Sequence, residues 1–180
     1  MVCPLKSALI EVNVRWLRQA LRLLDRLDDS TYSTTPPGFA PHRAGAHLRH
    51  ILEFYQCFLN GLDTCHVDYD GRRRDSAVEH SRAAASASIR SIIRSLESSP
   101  ALRTESMIWV RMEDAESSAA AGGFMDSSIS RELQALSSHT VHHFALIAMT
   151  LRMHGVEVDP SFGMAPSTLR YLASKTEEAA

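Results

Sequence analysis

Hydrophobic side chains recur along this chain at steps of three and four, the spacing that lays one apolar stripe along an α-helix. From Leu5 to Leu27 they fall at Leu5, Leu9, Val12, Trp16, Ala20, Leu23 and Leu27, with Arg15, Arg18, Arg22 and Arg26 on the opposite face. The polar, proline-containing stretch DDSTYSTTPPGFAP (28–41) cannot continue that helix and reads as a loop, long enough to cross over the end of a bundle. A second helix is expected from His42 to Leu62, where Leu48, Ile51, Tyr55, Phe58 and Leu62 repeat the pattern. DTCHVDYDGRRRDS (63–76) is a charged turn that bends at Asp70-Gly71. The third helix spans Ala77 to Leu96 and is ended by Ser98, Ser99 and Pro100.

Residues 102–113, LRTESMIWVRME, set Met107 and Trp109 against Ile108 and Val110, and predict a short strand or extended segment. After a flexible SSAAAGG stretch (117–123), a fourth helix starts with Asp126 or Ser127 as N-cap and runs to His154, where Gly155 stops it. Its stripe is Ile129, Leu133, Leu136, Thr140, His143, Ile147 and Leu151. The tail folds back with one more helical turn after Pro166, and TEEAA frays. Without a repeat or a boundary, these elements predict one domain over residues 1–180. It is an all-α four-helix bundle with a short extended segment between helices 3 and 4.

Composition narrows the function. With 44% apolar and 22% charged residues and a net charge of -2, the chain is of the soluble globular kind and offers little to a nucleic-acid backbone. No apolar run is long enough to span a membrane, and Lys6, Glu11 and Arg15 interrupt the first residues before a secretory segment could form, so a cytoplasmic location is expected. Cys3, Cys57 and Cys65 are too few and too irregular for a disulfide framework or a cysteine-rich zinc site. Cys57, two turns from His50, reads as a buried inert thiol.

Nine histidines are the exceptional feature, and six of them fall in two short segments: His42, His47 and His50, then His139, His142 and His143. His139 and His143 are four apart, so they project from one helix face one turn apart, and His143 lies within the apolar stripe. Imidazoles aimed into a core need a partner, because a buried polar group without one costs a few kcal/mol. If the second and fourth helices meet, His50 or His47 joins them in a set of three neutral nitrogen ligands, suited to a borderline divalent metal and leaving coordination positions open. His42, His66, His80 and His154 read as solvated or capping, and His142 as peripheral. Glu53 is a candidate acceptor for an imidazole N–H. Arg72, Arg73 and Arg74 either bind a carboxylate or phosphate or pair with Asp68, Asp70 and Asp75 in solvent.

The segments AGAHLRHILEFYQCFLNGLD and ELQALSSHTVHHFALIAMTLRMHG resemble the DinB/YfiT-like superfamily, and VDYDGRRRD and FGMAPSTLRY extend that likeness over most of the chain. The resemblance implies a four-helix bundle that binds a divalent metal through three histidines, here His50 from the second helix with His139 and His143 from the last long one. Where many members follow HxxxH with Arg-Gly-Gln, this chain has Phe144-Ala145-Leu146. The family includes thiol S-transferases and relatives of isomerases and hydrolases. It therefore implies zinc or nickel, with iron or manganese as further candidates, a small-molecule substrate such as a low-molecular-weight thiol, and a homodimer. The competing expectation is a non-catalytic metal-binding or structural homodimer.

Overall fold

The computed structural model of the protein describes residues 4–39, 41–104, 106–112 and 123–178. Its helices are α1 (Pro4–Leu24), α2 (Asp29–Ser33), α3 (Ala44–Gly61), α4 (Ser76–His80), α5 (Arg82–Ser98), α6 (Ile129–Met153) and α7 (Pro166–Glu178), and its strands β1 (His66–Asp68), β2 (Met107–Arg111) and β3 (Met125–Ser128). The four long helices α1, α3, α5 and α6 close a ring, with α1 and α3 each packed against both α5 and α6. Their apolar stripes meet inside it, where Leu17, Ile51, Phe58, Ile89, Leu133 and Leu151 are fully buried.

The fold is not all-α. A three-stranded mixed sheet, ordered β1-β2-β3, overturns the expected pure four-helix bundle. Strand β1 runs parallel to β2 with His66 opposite Trp109, and β3 runs antiparallel to β2 with Met107 opposite Ser128. Only β2 lies in the segment predicted to be extended. The other two are short and carry almost no alternating apolar signal: β1 buries Val67 alone, and β3 reads Met-Asp-Ser-Ser. Partners distant in sequence, rather than local pattern, make them strands.

The helix boundaries differ in ways with local causes. The predicted third helix is broken at Ser81, which is extended; its N–H bonds back to the Ala77 carbonyl while its hydroxyl oxygen accepts from the Ala84 N–H, ending α4 and capping α5. Ser128, one or two residues later than expected, caps α6 by accepting from the Arg131 N–H. The loop 28–41 contains α2, capped by Asp28, and α7 is thirteen residues long rather than one turn. The SSAAAGG stretch lies outside the described residues up to Gly122, and so do the last two residues. Gly45 lets α3 approach α4 closely, since a Cβ there would stand 2.0 Å from the Glu79 carbonyl oxygen.

The inner face of α1 centres on Asn13, Leu17, Ala20 and Leu24, rotated from the stripe read in the sequence: Trp16, Ala20 and Leu27 of that stripe are buried, while Leu9, Val12 and Leu23 are only partly covered. Asn13 is the reason. Its amide nitrogen donates to the carbonyls of Leu9 (2.8 Å) and Leu133 (2.9 Å), and its oxygen accepts from the Tyr55 hydroxyl at 2.6 Å. The Tyr55 oxygen is also 3.1 Å from Thr140 Oγ1, which donates to the Leu136 carbonyl. Three fully buried polar side chains thus tie α1, α3 and α6 together and hold α3 and α6 in register at the level of the histidines.

Candidate metal centre

Packing of α3 against α6 brings the two histidine segments face to face. His50, His139 and His143, all half-buried, each place one nitrogen within 4.8 Å of the others. His50 Nε2 and His139 Nε2 are 3.1 Å apart while their ring centres are 4.9 Å apart, so the two rings lean toward a common point. The His143 ring centre lies 4.6 Å from that of His50 and 4.5 Å from that of His139. Among the described residues, no other trio of histidine, cysteine or carboxylate side chains converges in this way.

The site is nitrogen-only, and two of its three rings are held uncharged. Burial pushes the His139 imidazole down to about 4, helped by the charges that His50, His142 and Arg72 bring near it. Burial pushes His143 down to about 3, with His139, His50, His47 and His142 adding to it. At neutral pH both rings are uncharged and present lone pairs, the form a transition metal binds. His139 Nδ1 is buried and has no hydrogen-bond partner among the described residues. A donor set of this kind fits a divalent cation, which needs deprotonated nitrogen ligands at short range and tolerates half-burial.

An aromatic wall flanks the trio. Phe54, one turn beyond His50, stacks on His139 with centres 4.2 Å apart and meets His50 edge-on at 4.8 Å. Tyr69, which follows β1, stacks on Phe54 at 5.0 Å, and its hydroxyl donates to the buried carboxylate of Glu132 at 2.8 Å. The sheet therefore has a role at the site: it fixes Tyr69, which backs Phe54, which backs His139. The Arg72 guanidinium lies 5.1 Å over the Phe54 ring, a cation–π arrangement that brings one positive charge to the site's margin.

His47 stands outside the trio. Its Nδ1 is 3.2 Å from His143 Nδ1, and its Nε2 is 3.3 Å from Nδ1 of His42. His142 is exposed, its ring 5.2 Å from that of His143. The remaining histidines lie elsewhere: His66 on β1 stacks on Trp109, His80 ends α4, and His154 caps α6. Glu53 is buried, and its carboxylate accepts the Asp75 N–H at 2.9 Å and pairs with Arg49. Arg73 and Arg74 are exposed, and of the three arginines it is Arg72, over the Phe54 ring, whose charge bears on His139. Cys57 is half-buried rather than buried, and desolvation raises its thiol above the ordinary value, in keeping with an unreactive side chain.

Periodicity did not reveal Phe54 and Tyr69 as a stacked pair, nor His42 as part of the histidine cluster. Phe54 at four residues from His50 was the available signal. His42 precedes the first residue of α3, so no helical spacing relates it to His47.

No family model and no solved structure matches this chain. It is similar to FK506-binding protein 5 of Rhizopus delemar, with 31% identity over 106 residues. That stretch is 59% of this chain but 27% of the fungal protein, so the chain spans about a quarter of the length of the curated relative it matches.

Proposed function

We propose that the protein is a divalent-metal-binding protein of the DinB/YfiT-like kind, acting as a metal-dependent enzyme of the thiol S-transferase or hydrolase type. The observation that carries this reading is the convergence of three imidazoles, His50, His139 and His143, at the α3–α6 interface, with His139 and His143 held uncharged by burial. Three protein ligands are the complement of catalytic rather than closed structural sites, because they leave a position for substrate. The resemblance of the two histidine segments to that superfamily supports the same residues. Three imidazole nitrogens suit zinc or nickel, with iron or manganese compatible.

A bound divalent ion supplies Lewis acidity, which lowers the pKa of a thiol or a water at its open position. The chain's own groups do the rest. His50, His139 and His143 hold the ion, and Phe54 shields His139 from water on one face. Arg72, over the Phe54 ring, brings a guanidinium that an anionic group on a small substrate would meet. A low-molecular-weight thiol bearing a carboxylate satisfies both ends.

Cobalt substitution tests this directly. Glutathione-like thiols are expected to shift the visible spectrum of the cobalt-loaded protein and to be consumed with an electrophile such as monochlorobimane. A cobalt-loaded protein whose spectrum and turnover are indifferent to several thiols contradicts the thiol reading; turnover of a hydrolysable ester by the same sample then favours the hydrolase type.

A further inference from the structure

His47 meets two further imidazoles, and its contact with His143 is closer to end-to-end than that of His50 with His139, whose nitrogens are 3.1 Å apart with ring centres at 4.9 Å. Its Nδ1 and that of His143 are 3.2 Å apart with ring centres at 5.4 Å, so the rings meet nearly end to end along the line of centres, as a hydrogen bond requires. Its other nitrogen meets His42 in the same manner, with Nε2 and Nδ1 3.3 Å apart, ring centres at 5.3 Å and planes 5° from parallel. The His42 backbone is held by its main-chain N–H, which donates to the Phe39 carbonyl at 2.9 Å, and its ring lies 4.9 Å from that of Phe39.

We infer that His47 and His42 are positioning residues, a hydrogen-bonded line of imidazoles that sets the tautomer and aim of His143. This inference rests on the metal reading above. With Nδ1 of His143 facing His47, Nε2 is the nitrogen left for an ion. A neutral imidazole that binds through Nε2 carries its proton on Nδ1, which donates to His47 Nδ1. His47, accepting there, carries its own proton on Nε2 and donates it to His42 Nδ1. One ligand choice therefore settles the tautomers of all three rings, and no ring is asked to donate and accept at the same nitrogen. The same geometry assigns His47 outside the ligand set: a nitrogen that accepts from His143 is occupied, and the other points away toward His42. His139 makes the contrast, because its Nδ1 is buried without a partner and nothing comparable sets its tautomer.

Zinc affinity of the full chain, measured by competition with a chromophoric chelator, tests the assignment. His47→Ala is expected to weaken zinc binding by about 10–100-fold, the usual loss when an outer partner of a ligand imidazole is removed. His47→Asn, whose side-chain oxygen can stand where Nδ1 stood and accept the same hydrogen bond, is expected to stay within about threefold of wild type, a rescue that a packing role would not give. In the ¹⁵N spectrum of the zinc-loaded protein, His143 is expected as the Nδ1–H tautomer and His47 as the Nε2–H tautomer. Melting of the metal-free variants checks that they fold. Unchanged affinity in His47→Ala, while His139→Ala abolishes binding, overturns the inference alone. Complete loss in His47→Ala and His47→Asn, equal to that of His143→Ala, also overturns it by making His47 a ligand. A wild-type chain that takes up no zinc overturns the metal reading itself, and the inference with it.

Discussion

Two groups of polar side chains cross the α3–α6 interface almost side by side. Thr140 follows His139 directly in sequence, and Tyr55 follows His50 by five residues. In the Asn13–Tyr55–Thr140 group every proton has an acceptor and every member is fully buried. In the His50–His139–His143 group the nitrogens crowd toward one point, the surroundings hold His139 and His143 uncharged, and one buried ring nitrogen has no partner. Buried polar groups are ordinarily satisfied, and a network left incomplete costs stability. The first group is what such a network looks like when its purpose is to hold helices in register. The second gathers ring nitrogens at one point, through Nε2 in the case of His139, and that crowding of lone pairs rather than the partnerless Nδ1 is what a cation would satisfy.

That contrast can be broken at either end. Removing a member of the satisfied group leaves partners stranded: Asn13→Leu deprives the Tyr55 hydroxyl of its acceptor and is expected to lower stability by about 2 kcal/mol, read from chemical denaturation of the metal-free protein. Its zinc affinity is expected to stay within about threefold, since Asn13 makes no described hydrogen bond to a histidine. An Asn13 variant that is stable but loses its metal would merge the two groups into one.

The histidine group makes the opposite prediction through pH. Folded values of about 4 for His139 and about 3 for His143 lie below the ordinary 6.5. Below 6.5 the unfolded chain therefore takes up protons that the folded chain refuses. Stability on this account is undiminished above 6.5, falls as the pH drops below it, and has lost the full contribution once the folded values are passed. Denaturation midpoints of the metal-free protein between about pH 7.5 and about pH 5 are expected to decline, with a shallower decline in His139→Ala/His143→Ala. Equal slopes in the two proteins would remove the buried neutral histidines from the account.

The smallest effect concerns the margin. Arg72 places a positive charge near His139, which disfavours a cation there as it disfavours the imidazolium. Arg72→Gln is expected to tighten zinc binding by about two- to threefold at low salt, with the difference shrinking as ionic strength screens a partly exposed charge. Weaker binding in this variant would show that Arg72 supports the ligands rather than opposing the ion.

What could be read from the chain follows from how local each signal is. The four long helices have sustained apolar periodicity, and His139 and His143 sit on one of them at a spacing that any α-helix turns into proximity. His50 needed one further step, the packing of α3 on α6, which the sequence leaves as a condition. The sheet was lost because β1 and β3 contain three and four residues and become strands only by pairing with β2. The rotation of α1 was lost because a buried asparagine, not a leucine, centres its inner face. His42 and Tyr69 were lost for a related reason: each stands beyond the end of a regular element, where spacing says nothing about direction.

The central claim is that His50, His139 and His143 hold a divalent ion. Metal content of the purified, zinc-reconstituted and dialysed chain, compared with His139→Ala/His143→Ala treated identically, tests it most directly. The account predicts about one ion per chain in the wild type and none in a variant that still folds. Equal metal in both proteins would contradict it.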